Sequence, residues 1–109
     1  MITRIDASKI TDAGSFHAVF AAALGFPAFY GRNMDAWVDC LASVDRPSEG
    51  MTVVHVAPGE VLTLAVEHAQ DFKARCPLLF AALVECAAFV NWQRVESGEP
   101  AVLALAFHA

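Results

Sequence analysis

Two aspartates four residues apart, Asp35 and Asp39, are the residues whose types and spacing point most directly to chemistry. They follow a loop with two adjacent aromatic residues, Phe29 and Tyr30, in the stretch FYGRNMDAWVDCL. Neither aspartate is followed three or four residues later by Lys or Arg, and like charges at i and i+4 of a helix repel by about 0.2–0.5 kcal/mol. Unpaired carboxylates beside aromatic surface are typical of a protein interface, whereas a solvated helix face is the simpler alternative.

The spacing predicts a helix over residues 33–44 that positions these carboxylates. Asn33 is a favoured N-cap, and Gly31 gives the preceding loop backbone freedom. A predicted buried stripe at i, i+3, i+4 and i+7 contains Met34, Trp37, Val38 and Leu41. With ~3.6 residues per turn, Asp35 and Asp39 lie about 100–140° from the centre of that stripe. Both side chains are therefore expected to point outward on one face.

The length and composition indicate a single domain over residues 1–109. The chain has 57% hydrophobic and 17% charged residues, which is typical of a globular protein with a real core. Its formal net charge of −5 argues against nucleic acid or an anionic membrane as the direct partner, because phosphate binding relies on clustered Lys and Arg. A cationic partner is the natural expectation.

The cysteines and histidines supply the residue types for an enzyme, but their spacing matches no metal or Cys–His motif. We therefore expect no enzymatic activity, no metal and no cofactor. Cys40 and Cys86 are predicted to be small buried helix residues. His17 and His68 are predicted on helix surfaces, and His55 in a strand.

The cellular context is predicted from the same residues. Three cysteines cannot all pair within one chain, so reduced thiols in the cytoplasm fit best. The N-terminus lacks the apolar region of a signal peptide. The most apolar stretch, over residues 76–90, is interrupted by Glu85 and is shorter than the roughly 18 residues of a membrane span.

Strand and helix signals alternate along the chain, which predicts an α/β fold. Residues 2–5 are a short edge strand, a helix follows Thr11 or Asp12 and ends at Gly25, and residues 51–56 form a β-branched strand. Residues 61–66 are either an extra strand or the start of a helix, with strand favoured. The expected sheet is small, mainly parallel and three-stranded, and the extra strand is left open.

The second half of the chain is predicted to hold two helices and a final strand. Residues 68–76 form a short helix, and Pro77 starts a longer one. Because Phe89 and Trp92 lie off its apolar stripe, this helix is expected to be covered on more than one side. Residues 101–107 are predicted to be a strand buried on both faces.

The stretch over residues 29–41 resembles the signature segment of the barstar family, inhibitors that cover the active site of a ribonuclease. The family pattern is matched at Tyr30, Gly31, Asn33, Asp35, Ala36, Asp39, Cys40 and Leu41. Trp37 and Val38 stand where the pattern has an aliphatic residue followed by Trp. A weaker resemblance in element order covers most of the chain.

This resemblance implies a barstar-like fold and a partner-binding site on the loop and helix. Asp39 would occupy the phosphate site of a small ribonuclease or related toxin, and Asp35 would contact a second basic residue. Phe29 and Tyr30 would pack against the partner, Asn33 would add polar contacts, and Gly31 would let the backbone approach closely. The free protein would be a monomer. A barstar-like interaction or immunity module with a different toxin or a regulatory protein as its partner is the alternative.

Overall fold

Three parallel strands form the sheet of the computed structural model, which describes residues 1–109. They are β1 (Ile2–Asp6), β2 (Leu62–Glu67) and β3 (Leu103–Phe107), in the spatial order β1-β2-β3. Ile2 pairs with Thr63 across the first interface, and Leu62 pairs with Leu103 across the second. The predicted three-stranded parallel sheet is confirmed. The segment left open as an extra strand forms the central strand, and no fourth strand is present because residues 51–56 do not form one.

The first helix, α1 (Ala13–Leu24), follows β1 after a short 3-10 turn, Ala7–Lys9. Its N-cap is Asp12, whose side chain accepts from the backbone of Ser15 at 2.8 Å, and the Ser15 side chain bonds back to the cap. This reciprocal arrangement satisfies two backbone donors that would otherwise lack partners. The helix ends at Gly25, whose φ of 69° is left-handed. The predicted start and end are confirmed.

The remaining helices are α2 (Met34–Ala42), α3 (Ala69–Arg75) and α4 (Pro77–Glu96). Pro77 occupies the first turn of α4, as predicted, where its missing N–H costs nothing. By length and composition alone α4 could cross a membrane, with a mean hydropathy of 1.3 over 18 residues, a test that core helices of soluble proteins also pass. Here Leu83, Ala87 and Val90 pack in the core.

The outer face of α4 is uncovered, so the prediction that it is covered on more than one side was wrong. Phe89 is 47% exposed and Trp92 is 59% exposed. The reason is that α2, α3 and β3 contact α4, and none of them covers the part of its outer face that holds Phe89 and Trp92. A shallow cavity of about 450 Å³ lies at the end of this face, between Arg46 and Trp92.

The predicted strand over residues 51–56 is absent. The segment is irregular, and its backbone binds the ends of two helices instead of a strand: Val53 and Val54 donate to the Leu24 carbonyl, and Val56 donates to the Val44 carbonyl. His55 is therefore not a strand residue. β-branched composition favours a strand only where a sheet edge is within reach.

The final strand, β3, was predicted to be buried on both faces, and this was wrong. It is an edge strand whose Ala104 and Phe107 are exposed. The strand buried on both faces is β2, with Leu64, Ala65 and Val66 all buried. β3 has a neighbouring strand on one side only, and its small Ala104 side chain costs little when it faces water.

Candidate protein-binding site

The start of α2 is fixed by Asn33, whose side-chain oxygen accepts a hydrogen bond from the Ala36 N–H at 2.8 Å. This confirms the predicted N-cap. Asp35 lies in the first turn, where a negative charge interacts favourably with the helix dipole. The regular helix ends at Ala42, two residues before the predicted end, although Val44 is still fully buried.

The inner face of α2 carries the predicted apolar stripe. Trp37, Val38 and Leu41 are buried, and Met34 is partly buried against the core. The Trp37 ring meets the Phe20 ring edge to face at a centroid distance of 5.7 Å. The indole of Trp37 thus belongs to the core, and its Nε1–H has no hydrogen-bond partner. This packing fixes which face of α2 looks outward.

Asp35 and Asp39 both lie on that outward face, exposed to solvent. Neither forms an ion pair. Asp35 looks toward α4, where its charge and that of Glu85 add to burial in raising the pKa of the Cys86 thiol. Asp39 lies toward the loop and adds to burial in raising the pKa of Cys40. The two carboxylates therefore present unneutralised negative charge between the loop and α4.

The loop before α2 places an aromatic ring beside this charge. Phe29 is 75% exposed, a large apolar area left in water. A small cavity of about 150 Å³ opens next to it. The cavity is lined by Phe29, Tyr30, Gly31, Ala36, Asp39, Cys40 and Met51. The predicted residues Phe29, Tyr30, Gly31 and Asp39 are thus brought together around one concave surface.

Tyr30 turns inward more than Phe29 does. Its ring packs on Phe26 at a centroid distance of 4.6 Å, and its hydroxyl lies 2.5 Å from Nδ1 of His17. Burial raises the pKa of Tyr30 above its ordinary value, so the phenol stays protonated. His17 was predicted on a helix surface and is in fact only 4% exposed, because the loop folds over it.

The left-handed residue of the loop is Arg32, with φ of 52°, and Gly31 is not in that region. A Cβ added to Gly31 would meet only ordinary contacts, at 3.4 Å from Asn33 Nδ2 and 3.6 Å from Ala36 Cβ. The fold therefore does not require the backbone freedom of glycine at position 31. Arg32 is exposed and forms no ion pair, so its positive charge is unpaired in the loop before α2.

A comparison with known protein families matches residues 1–106 of the 109-residue chain to the family described as Barstar (barnase inhibitor). The chain belongs to the barstar family. A search of the curated proteins finds no match. The family is one of inhibitors rather than enzymes, and the α/β fold described above is barstar-like.

In this barstar-family chain, the far end of α2 is held by a residue that the sequence analysis did not single out. Arg94 of α4 is 4% exposed and donates two hydrogen bonds to the carboxylate of Asp45, at 3.0 and 2.7 Å. It also donates to the carbonyls of Ala42 and Pro100, both at 2.9 Å. The only sequence signal was an Arg near the end of an apolar helix, which does not identify its partners.

Two cysteines of this barstar-family chain, Cys40 and Cys86, sit in surroundings that raise the pKa of the thiol. Burial raises the pKa of Cys40 to about 11, so its thiol is protonated at neutral pH and is a poor nucleophile. Cys40 is buried, as predicted, whereas Cys86 is only partly buried. No group of three or more His, Cys, Asp or Glu residues is arranged to hold a metal ion.

Proposed function

We propose that this chain is a protein inhibitor that binds and blocks the cationic active site of a small ribonuclease, with helix carboxylates standing in for phosphates. The observation that carries the proposal is the exposed, unpaired state of Asp35 and Asp39 on one face of α2. Membership of a family described as barnase inhibitors supports it. The exposed ring of Phe29 beside Asp39 supplies apolar contact area next to the charge.

The mechanism follows from the chemistry of the two surfaces. A ribonuclease active site holds phosphate with basic side chains, so Asp39 occupies the phosphate position and Asp35 contacts a second basic group. Complementary charge raises association rates toward ~10⁸–10⁹ M⁻¹s⁻¹ at low salt, and losing one partner of a buried charge pair costs about 2–5 kcal/mol, ranges that include the barnase–barstar pair. The repulsion between the two aspartates in the free helix, about 0.2–0.5 kcal/mol, is small beside these values.

Titration of ribonuclease activity tests this function. Purified chain added to barnase, and to a panel of related small ribonucleases, is expected to abolish RNA cleavage near a one-to-one ratio for at least one enzyme. Asp39→Ala should weaken that complex at least about 30-fold, which corresponds to the lower bound of about 2 kcal/mol. Its circular dichroism spectrum should stay unchanged, because the Asp39 side chain is exposed.

Glu60→Ala is the matched control, since it removes one exposed carboxylate from the turn before β2. Inhibition by this variant should equal that of the parent chain. Full nuclease activity across the panel in the presence of excess parent chain would contradict the proposed function. Equal loss of affinity in Asp39→Ala and Glu60→Ala would show that binding depends on the net charge of the chain and not on a specific contact at Asp39.

Arg32 favours a second candidate, a barstar-like interaction or immunity module that binds a different toxin or a regulatory protein. Its unpaired positive charge lies in the loop that would face a cationic cleft. For a cationic ribonuclease, Arg32→Ala should therefore tighten binding. If Arg32→Ala weakens binding of a partner captured from cells, that partner presents an acidic group to the loop, and the second candidate holds.

The proposal includes a monomeric, non-enzymatic protein acting in the cytoplasm. The free thiols Cys40, Cys76 and Cys86 fit a reducing compartment, and the raised pKa of Cys40 leaves no activated nucleophile there. Light scattering coupled to size exclusion should give the mass of one chain, 11.7 kDa. Cell fractionation with a reduced-thiol assay tests the compartment.

A further inference from the structure

His17 is the buried histidine beneath the candidate binding surface. It lies on α1, 4% exposed, with its ring edge to face against Phe16 at a centroid distance of 5.1 Å. Its Nδ1 atom lies 2.5 Å from the hydroxyl oxygen of Tyr30, and the two rings are 5.6 Å apart. This is the only hydrogen bond between side chains that joins α1 to the loop. The loop therefore rests on His17 through Tyr30.

The charges around this contact favour a neutral imidazole. Burial and the positive charge of Arg32 both lower the pKa of His17 below its ordinary value of 6.5. Burial raises the pKa of the Tyr30 phenol and keeps it protonated, and Cys40, whose own pKa is raised, would add to this effect only as a thiolate. The Tyr30 hydroxyl then donates, and Nδ1 of neutral His17 accepts. Tyr30 and Arg32 from the loop and Cys40 from α2 are the titratable or charged groups facing this pair.

We infer that His17 is a positioning residue for the partner-binding surface: as a neutral acceptor it holds Tyr30 in place, and with it the loop that carries Phe29. The inference rests on the proposed function, because it explains how that same surface is held. Phe29 and Tyr30 are adjacent in the chain and line one cavity with Asp39. A change in the position of the Tyr30 side chain therefore moves the aromatic rings of the binding surface relative to the carboxylate of Asp39.

A cationic partner makes binding depend on the proton at His17. When a basic active site docks over the loop, it adds positive charge to that of Arg32, which further disfavours the imidazolium form. Binding then expels a proton from any His17 that carries one. By linkage, the affinity must fall once the pH drops through the pKa of His17 in the free folded chain, which burial and Arg32 hold below the ordinary value of 6.5.

Three variants separate the role of His17 as a hydrogen-bond acceptor from the effect of its protonation. His17→Asn places an oxygen near the position of Nδ1 and does not titrate, His17→Leu removes the acceptor, and Tyr30→Phe removes the donor. The dissociation constant for the inhibited ribonuclease is measured at pH 7.5 and 5.0. The parent affinity should fall about three- to tenfold more over this range than that of His17→Asn, since one pKa unit between free and bound chain corresponds to at most tenfold.

At pH 7.5, His17→Asn should bind within about threefold of the parent, and His17→Leu and Tyr30→Phe should each bind less tightly. The double variant His17→Leu/Tyr30→Phe should lose no more affinity than whichever single variant binds less tightly, because both substitutions remove the same hydrogen bond. His68→Asn, which removes an exposed histidine outside the loop, is the control and should keep the parent pH profile. Circular dichroism checks that each variant is folded.

The outcomes distinguish this inference from the function on which it rests. Identical pH profiles for the parent and His17→Asn overturn the inference, even if Asp39→Ala weakens binding as proposed. Unchanged affinity in both His17→Leu and Tyr30→Phe overturns it as well. If His17→Leu fails to fold, His17→Asn and Tyr30→Phe still decide the question. Absence of any inhibited ribonuclease removes the proposed function, and the positioning role for its surface with it.

Discussion

The guanidinium of Arg94 and the carboxylate of Asp45 form a two-pronged ion pair, with side chains that are only 4% and 9% exposed. The same guanidinium donates to the Ala42 carbonyl at the last residue of α2. One side chain of α4 therefore satisfies polar groups at the end of the helix that carries Asp35 and Asp39. A buried pair of this kind is costly to break from one side, because the remaining charge loses its partner.

Asp45→Ala is expected to lower the free energy of unfolding by about 3–5 kcal/mol, since it removes both hydrogen-bonded carboxylate oxygens from the buried Arg94 and leaves it only the partly exposed Glu99 at 3.4 Å. Arg94→Met should be at least as damaging, because the carbonyls of Ala42 and Pro100 also lose their donor. Urea denaturation followed by circular dichroism measures both. Arg46→Met is the control: its ion pair with Glu99 is exposed, and its loss should cost less than about 1 kcal/mol. Similar losses in Arg46→Met and Asp45→Ala would contradict this account.

Gly25→Ala should destabilise the fold more than Gly50→Ala. Both glycines have left-handed φ angles, 69° and 66°, and an alanine in that region costs about 1–2 kcal/mol. At Gly25 the added Cβ would also lie 2.6 Å from the Cβ of Val53, whose backbone N–H is bound to the Leu24 carbonyl. At Gly50 it meets nothing within 4 Å. Thermal unfolding of the two variants isolates the cost of the clash, and equal melting temperatures would show that Val53 moves freely.

Gly31→Ala is expected to leave stability within about 0.5 kcal/mol of the parent, because Gly31 has no left-handed φ and its Cβ would make only ordinary contacts. Inhibition should nevertheless weaken, since the methyl group would stand between the loop backbone and the partner. Urea denaturation and nuclease titration on the same sample measure the two effects. Parent-like inhibition by this variant would show that the partner does not approach closely at position 31.

The stability of the free chain should fall as the pH drops from about 7 to 5. The folded-state pKa of His17 is lowered by burial and by Arg32. Above its ordinary value of 6.5 the group is neutral in both states, and below it the unfolded chain binds the proton first, so stability is lost until the folded chain is protonated too. Urea midpoints at several pH values measure this slope. His17→Asn should flatten it, and a slope unchanged in that variant would assign it to other groups.

The sequence predicts the candidate site well because its signals are local. The cap at Asn33, the stripe containing Trp37 and the outward direction of Asp39 all depend on residues within one helix. The burial of His17 depends on Tyr30, which is 13 residues away, and no spacing rule connects them. The partners Arg94 and Asp45 are 49 residues apart. Such contacts arise only when the helices are packed together.

Strand prediction failed where composition and topology disagree. Residues 51–56 are rich in β-branched side chains, yet the sheet ends at β1 and β3, and Val53 instead satisfies the end of α1. The apolar run ending at Phe107 resembles a central strand, but the strand order gives that place to β2. Local β-propensity indicates that a segment could pack in a sheet, but it does not determine which strand, if any, the segment pairs with.

The helix that carries the acidic face is held at both ends, by Asn33 at its start and by Arg94 at its finish. Its backbone is therefore ordered before any partner arrives, and little conformational entropy remains to be lost on association. Ordering an interface side chain costs about 0.5–1.5 kcal/mol, so a preorganised backbone limits that cost to the side chains of Asp35 and Asp39. Variants that loosen the end held by Arg94 should slow complex formation or hasten dissociation without changing a contact residue.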